Sequence, residues 1–196
     1  MTRRFVLYSL IFVEVLLFIG CGGIRYSQIM PEAKDAHPQR IGIIPVDVGT
    51  YEEARGIIDE IIAGALANKK WFADIVAAET INKQIVANDE LRKAMMDYIT
   101  KMKLVNYSDP ELIKGIGEAL QVDAFLIVNL DFWSYVEENN DKIAKVGLGI
   151  KMIDAKTGKP LWKAGHHTGK TYMLFKPKLF DVAEDLIDDM LEYMPH

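Results

Sequence analysis

Residues Ala164-Gly165-His166-His167-Thr168-Gly169-Lys170-Thr171 have the composition of a phosphate-binding loop, with alanine in place of the first glycine. Such a loop holds phosphate on the backbone amides of a helix N-terminus, with the lysine neutralising charge. That chemistry needs a helix directly after Lys170, yet Tyr172, Met173, Leu174 and Phe175 follow, and Pro177 stands before a full helix could run. The segment reads as part of an antiparallel hairpin, leaving a nucleotide-binding enzyme using residues 164–171 as the minor alternative. His166 and His167 could offer imidazole to a metal, but neighbours on a strand point to opposite faces. His37 and His196 fall in loop and tail, so the histidine pair reads as solvent-facing. Asp123, Asp131 and Asp154 are the right type for acid–base work, but no nucleophile is spaced to pair with them. Asp123 and Asp154 suit turns and strand ends. Trp133 and Tyr135 share a strand face with Asp131, which predicts a partly exposed aromatic patch as the surface for a protein partner. No catalytic residue, metal or cofactor is assigned, and the chain reads as non-enzymatic.

Cys21 is the one cysteine, and it closes an apolar run that follows Arg3 and Arg4. A positive start, an apolar stretch and small Gly20 before the thiol are the parts of a secretory signal. Only 16 residues separate Arg4 from Cys21, fewer than the ~20 that a membrane-spanning helix needs. Leu17-Phe18-Ile19-Gly20-Cys21 resembles the lipobox of bacterial lipoproteins, although Glu14 interrupts the apolar run and Phe18 stands where leucine is commoner. The resemblance implies that Cys21 is lipidated and becomes the mature N-terminus. Gly22, in place of aspartate, implies sorting to the outer membrane, with the domain facing the periplasm. Two or more acyl chains anchor stably where one does not, because each buried methylene contributes ~0.8 kcal/mol. A lipidated Cys21 leaves no thiol for a disulfide, so the fold must be held by its core.

Half the chain is apolar (50%), which suits a globular core, and the net charge of −5 argues against nucleic acid as a partner. Residues 1–20 read as the signal, 21–39 as lipidated N-terminus and tether, 40–175 as the domain, and 176–196 as a C-terminal amphipathic helix. Arg40 to Val48 is a short apolar run fit for a strand buried on both faces. Thr50 and Glu53 form a capping-box pattern ahead of a helix whose stripe is Ala54, Ile57, Ile58, Ile61, Ile62 and Ala65. Phe72 to Ala78 is the next strand. Residues 79–104 are helical in character, with Asn88 as a cap and Leu91, Met95, Tyr98 and Met102 on one stripe. Ser108, Pro110 and Glu111 start another helix, in which Gly115 and Gly117 predict close packing against a neighbour. Ala124 to Val136, Ile143 to Asp154 and Leu161 to Tyr172 are three successive strands. The second alternates cleanly, as a sheet with one buried and one solvated face requires, and Gly158 suits the turn that follows it.

Three stretches resemble a known family: Arg40-Ile41-Gly42-Ile43-Ile44-Pro45, Leu120-Gln121-Val122-Asp123-Ala124, and the hairpin from Ile153 through Asp154, Thr157 and Gly158 to Trp162. Together they are similar to the envelope lipoprotein superfamily that includes the TolB amino-terminal domain, the curli-secretion lipoprotein and the lipoprotein activators of penicillin-binding proteins. The similarity spans Arg40 to Tyr172. Gln121 replaces a usual glycine, and no pair of long alternating hairpins for membrane insertion is present, so the likeness does not extend to a curli-type pore. The resemblance implies a single α/β (α+β) domain, its mixed and mainly antiparallel sheet flanked by helices. It also implies a function in binding envelope proteins, with a homo-oligomeric secretion component as the alternative. If the lipobox is used, the intact mass of membrane-extracted protein corresponds to residues 21–196 plus acyl chains, and Cys21→Ala loses that species. An unmodified full-length mass would overturn the anchor.

Overall fold

The computed structural model describes residues 25–196; the signal segment and Cys21 lie outside the described residues. The apolar run after Gln39 forms β2 (Arg40–Ile43), which is buried on both faces because its parallel neighbours bring helices to both sides. Those neighbours are β3 (Asp74–Val76) and β4 (Ala124–Glu138). β5 (Asp141–Asp154) and β6 (Pro160–Tyr172) continue the sheet antiparallel, and β1 (Tyr26–Ile29) pairs antiparallel with β6 at the edge. The strand order is β1-β6-β5-β4-β2-β3, a mixed sheet whose longest pairings are antiparallel.

Helices cover both faces. On one, α1 (Ile57–Lys69) and α5 (Leu179–Leu191) bury Ile58, Ile62, Leu66, Val182, Leu186 and Met190 against Leu126, Val128, Leu148, Ile150 and Trp162. On the other lie α2 (Ala78–Ala87), α3 (Asp89–Val105) and α4 (Pro110–Leu120), packed around Phe125 and Ile153. The C-terminal helix is therefore part of the main core. Among the described residues no polar or charged residue is buried, so burial of apolar surface is the principal stabilising term.

Several local expectations change. Tyr26–Ile29, within the expected tether, forms β1, and Met30 N donates to Leu161 O at 2.9 Å. The capping box at Thr50 and Glu53 is not formed. Glu52–Ala54 instead make one 3₁₀ turn, and Gly56, at φ 79°, re-aims the chain so that α1 starts at Ile57. Only glycine enters that left-handed conformation without a steric cost. The 79–104 segment divides at Asn88, whose side-chain oxygen accepts from Glu90 N and Leu91 N. Asp109 rather than Ser108 caps α4, while the Ser108 hydroxyl bonds Tyr98 Oη at 2.9 Å. Gly117 has its packing reason, since a Cβ there would lie 2.8 Å from Ala155 Cβ, but Gly115 has nothing within 4 Å.

Trp133 is 5% exposed and packs into the α1/α5 core. The expected exposed patch at this residue is corrected by a bulge between Leu130 and Phe132, which places Asp131 out of register. A bulge adds one residue to one strand and flips the faces beyond it, so Phe132 points outward and Trp133 inward. Trp133→Ala should cost ~3–5 kcal/mol by cavity formation, and Asn88→Ala about 1 kcal/mol by loss of a cap. Urea denaturation checks both, and a Trp133→Ala cost below that of the cap variant would contradict this placement.

Candidate interaction face

β4, β5 and β6 run beyond the reach of α2–α4, leaving one face of the sheet uncovered toward the β4–β5 hairpin. Cross-strand register builds this face row by row. Asn129, Gly149, Gly165 and Tyr26 form one row, and Phe132, Gly147 and His167 the next. The glycines form a floor on which larger neighbours lie flat. A Cβ at Gly149 would meet Asn129 Oδ1 at 2.6 Å, one at Gly147 would meet Phe132 Cδ2 at 2.6 Å, and one at Gly165 would overlap the Tyr26 ring.

The result is a low, mixed polar and aromatic surface. The Phe132 and His167 rings meet edge to face at 6.1 Å, and Lys145 Nζ sits 5.2 Å from the Phe132 centroid. Lys145 also pairs with Glu138 at 2.9 Å, and Asn129 Nδ2 donates to Asp131 Oδ1 at 2.6 Å. His167 is exposed, as the sequence implies, but His166 is only half-exposed. Its Nδ1 accepts from Arg25 N at 3.0 Å, and burial pushes its pKa down, with neighbouring His167 adding to the effect. Residues 164–171 lie within β6 and pair with β5, so the phosphate-loop pattern has no helix N-terminus behind it.

Tyr135 stands on the opposite face from Phe132. Its ring is in edge contact with Tyr172 at 6.1 Å, and its hydroxyl donates to Pro177 O at 2.8 Å. The structure thus separates the two aromatics expected to act together: Trp133 is core, and Tyr135 fastens the segment that joins β6 to α5. Tyr135 stays 36% exposed on its own face, and on the glycine-floored face the exposed aromatic of β4, unmarked in the sequence, is Phe132 at 38%. Only the bulge reveals it, and an unbulged alternation pattern gives no signal for one.

Asp123 and Asp154 both bond nearby backbone. Asp123 Oδ2 accepts from Gln39 N and Arg40 N, both at 2.9 Å, tying the start of β2 to the start of β4. Asp154 Oδ1 accepts from Thr157 N and Thr157 Oγ1, and Gly158 takes φ 68° to close that turn. Among the described residues no three His, Cys, Asp or Glu gather at metal-binding distance.

A groove of about 430 Å³ lies where β2 ends beside β4, floored by Ile85, Met95, Ile99, Met102 and Ile127. The carboxyl ends of parallel strands at a change of strand direction are where α/β sheets offer ligand sites. Here the rim is occupied by an ion pair, Asp47 with Lys103 at 2.8 Å, and the hydrogen bond from Lys103 holds the Asp47 carboxyl below its ordinary range. Lys151 Nζ donates to Asn106 Oδ1 at 2.7 Å; burial and then Lys163 lower its pKa. These groups pair with each other and with the backbone, and none is arranged as a nucleophile with its base.

No protein-family model and no curated protein matches the chain. Solved structures do. The PelC dodecamer from Paraburkholderia phytofirmans superposes with a TM-score of 0.55 over 87% of this chain and 95% of that one, at 15% identity. Lipoprotein GNA1162 from Neisseria meningitidis gives 0.51 over 76% and 95%, at 14% identity. The likeness is one of fold: this chain shares the α/β architecture of those proteins.

Asp59 gives this region a pH signature. Its Oδ1 accepts from Val46 N at 2.9 Å, under the backbone that lines the groove, and burial raises its pKa despite that bond. A raised folded-state pKa means the native state binds the proton more tightly. The corresponding stability is full below the unfolded value of about 3.9 and is lost as pH rises through the folded value. Asp59→Asn keeps an acceptor without the charge, so its stability relative to wild type should be greater at pH 7 than at pH 3.5. Urea midpoints at the two pH values measure this, and a relative stability that improves on acidification would reverse the assignment.

Proposed function

We propose that this protein is a lipid-anchored accessory or assembly component of the cell envelope, held at the outer membrane through Cys21, facing the periplasm, and acting by binding protein partners without catalysis. The observation that carries the reading is the uncovered glycine-floored face of β4–β6, with Phe132, Tyr26 and His167 laid across it. Such a face is flat, carries both apolar and polar groups, and lies on a rigid sheet, which suits a protein surface better than a small substrate. The lipoprotein-like fold and the TolB-like sequence features support the same class. Among the described residues no helix is long and apolar enough to cross a membrane. Tethering raises the effective concentration of the domain at membrane-bound partners.

A homo-oligomeric role is the second reading, favoured by the fold likeness to a dodecamer. Sedimentation of the detergent-extracted full chain separates the two. A single monomer-sized species removes the second reading, and a larger species that Phe132→Ala dissociates supports it.

For the first reading, the Phe132→Ala, Tyr26→Ala double variant should recover at least ~10-fold less of a co-purifying envelope protein. Removing two central aromatic contacts commonly costs over ~1.4 kcal/mol of binding. Undiminished recovery by a folded double variant would exclude this face as the binding surface.

A further inference from the structure

The segment between β6 and α5 carries an apolar tip. Met173, Leu174 and Phe175 are 90%, 91% and 90% exposed, the three most exposed large apolar side chains among the described residues. Single exposed apolar residues need no explanation, but three in a row at one tip mark a contact surface. The base of this tip is fastened. Pro177 O accepts from Tyr135 Oη, Lys176 Nζ lies 3.4 Å from the Tyr135 centroid, and Lys170 pairs with Asp185 of α5. The three side chains are therefore held away from the domain's own core.

The course of the chain names what covers them. β1 runs antiparallel to β6, with Ile29 beside Trp162 and Tyr26 beside Gly165. Traced backward from Ile29, the chain thus leaves the domain toward the end of β6 that carries Met173. From Gly165 to Met173 is about 26 Å at ~3.3 Å per residue. The five steps from Tyr26 back to Cys21 span at most about 17 Å. A bilayer that receives both the Cys21 lipid and the tip is reached when the β6 axis leans about 50° or more from the membrane normal, by that arithmetic.

We propose that Met173-Leu174-Phe175 is a membrane-inserting finger, a second point of attachment that fixes how the tethered domain sits on the lipid surface. The proposal rests on the anchor reading of Cys21. Charges of both signs surround the tip, with Lys176 and Lys178 beside the loop and Glu137 and Glu138 on the adjacent hairpin. Insertion is accordingly driven by apolar burial and needs no anionic lipid. It also gives Tyr135 a positioning role, holding the finger by its Pro177 carbonyl.

The test uses the full-length, membrane-extracted chain. A lipidated Cys21 has no free thiol, so the wild type takes up no thiol-reactive fluorophore. A labelled wild type overturns the anchor reading and this proposal with it. With Cys21 blocked, Leu174→Cys and Lys156→Cys each carry one dye, the latter on the turn at the opposite pole. Both are reconstituted into phosphatidylcholine vesicles containing nitroxide-labelled lipid. Insertion of ~5–10 Å into the headgroup–acyl boundary should quench the dye at 174 by about twofold and leave that at 156 unchanged. Equal, weak quenching at both positions overturns the finger alone. So does a dye at 174 that is shielded from aqueous iodide yet unquenched by lipid, because its cover is then protein. The Tyr135→Phe variant in the Leu174→Cys background, which removes only the bond to Pro177 O, should reduce the lipid quenching; unchanged quenching would remove the positioning role.

Discussion

A long strand outruns a helix of equal residue count, and this mismatch shapes the molecule. The 14 residues of β5 span about 47 Å at ~3.4 Å each, whereas the 13 residues of α5 span about 20 Å at 1.5 Å each. No single helix can cover such a strand. The β4–β5–β6 ladder therefore keeps its central core where helices pack on both faces, and projects past α2–α4 on one of them. The exposed rows that carry Asn129, Phe132 and His167 follow from that projection. So does the distance between the compact end, which holds the Asp123 and Asp154 ties, and the end that carries Met173–Phe175.

Within the ladder, one irregularity assigns the faces. Residues up to Leu130 on β4 alternate in register with β5, and the extra residue at Asp131 reverses the alternation beyond it. Trp133 then closes the core beneath the helices and Phe132 is left outside. Glycines at 147, 149 and 165 answer the same geometry, because a flat aromatic or amide side chain on a neighbouring strand occupies the space a Cβ would need. The glycine positions and the bulge act together, and a change at either disturbs the shape of the whole face.

Much of the scaffold was legible in the residues. Apolar runs located β2 and β4, clean alternation located β5, and the Asp154–Lys159 turn chemistry predicted the hairpin into β6. Asn88 is legible as a cap because its side chain bonds amides only two and three residues away. The departures from local pattern share one cause. At Thr50–Glu53 a valid capping pattern yielded to the positive φ of Gly56; at Ser108 the hydroxyl was taken by Tyr98, ten residues earlier, and Asp109 became the cap. In each case a competing partner or backbone turn lay beyond the local window. β1 was missed because four residues carry too little periodicity to announce a strand, and its existence depends on the edge of β6.

By itself the sequence determined the run of strands and helices from Arg40 onward, the apolar stripes that become the core and the signature of an anchoring cysteine, since these depend on local pattern and composition. Only the tertiary structure decided that Trp133 is buried and Phe132 exposed, that Tyr26–Ile29 joins the sheet as an edge strand, and that the chain enters the domain from the side of its apolar tip. Those outcomes depend on register between strands. A one-residue shift in pairing moves every side chain beyond it to the other face, and no pattern along a single strand records where its partner will slip.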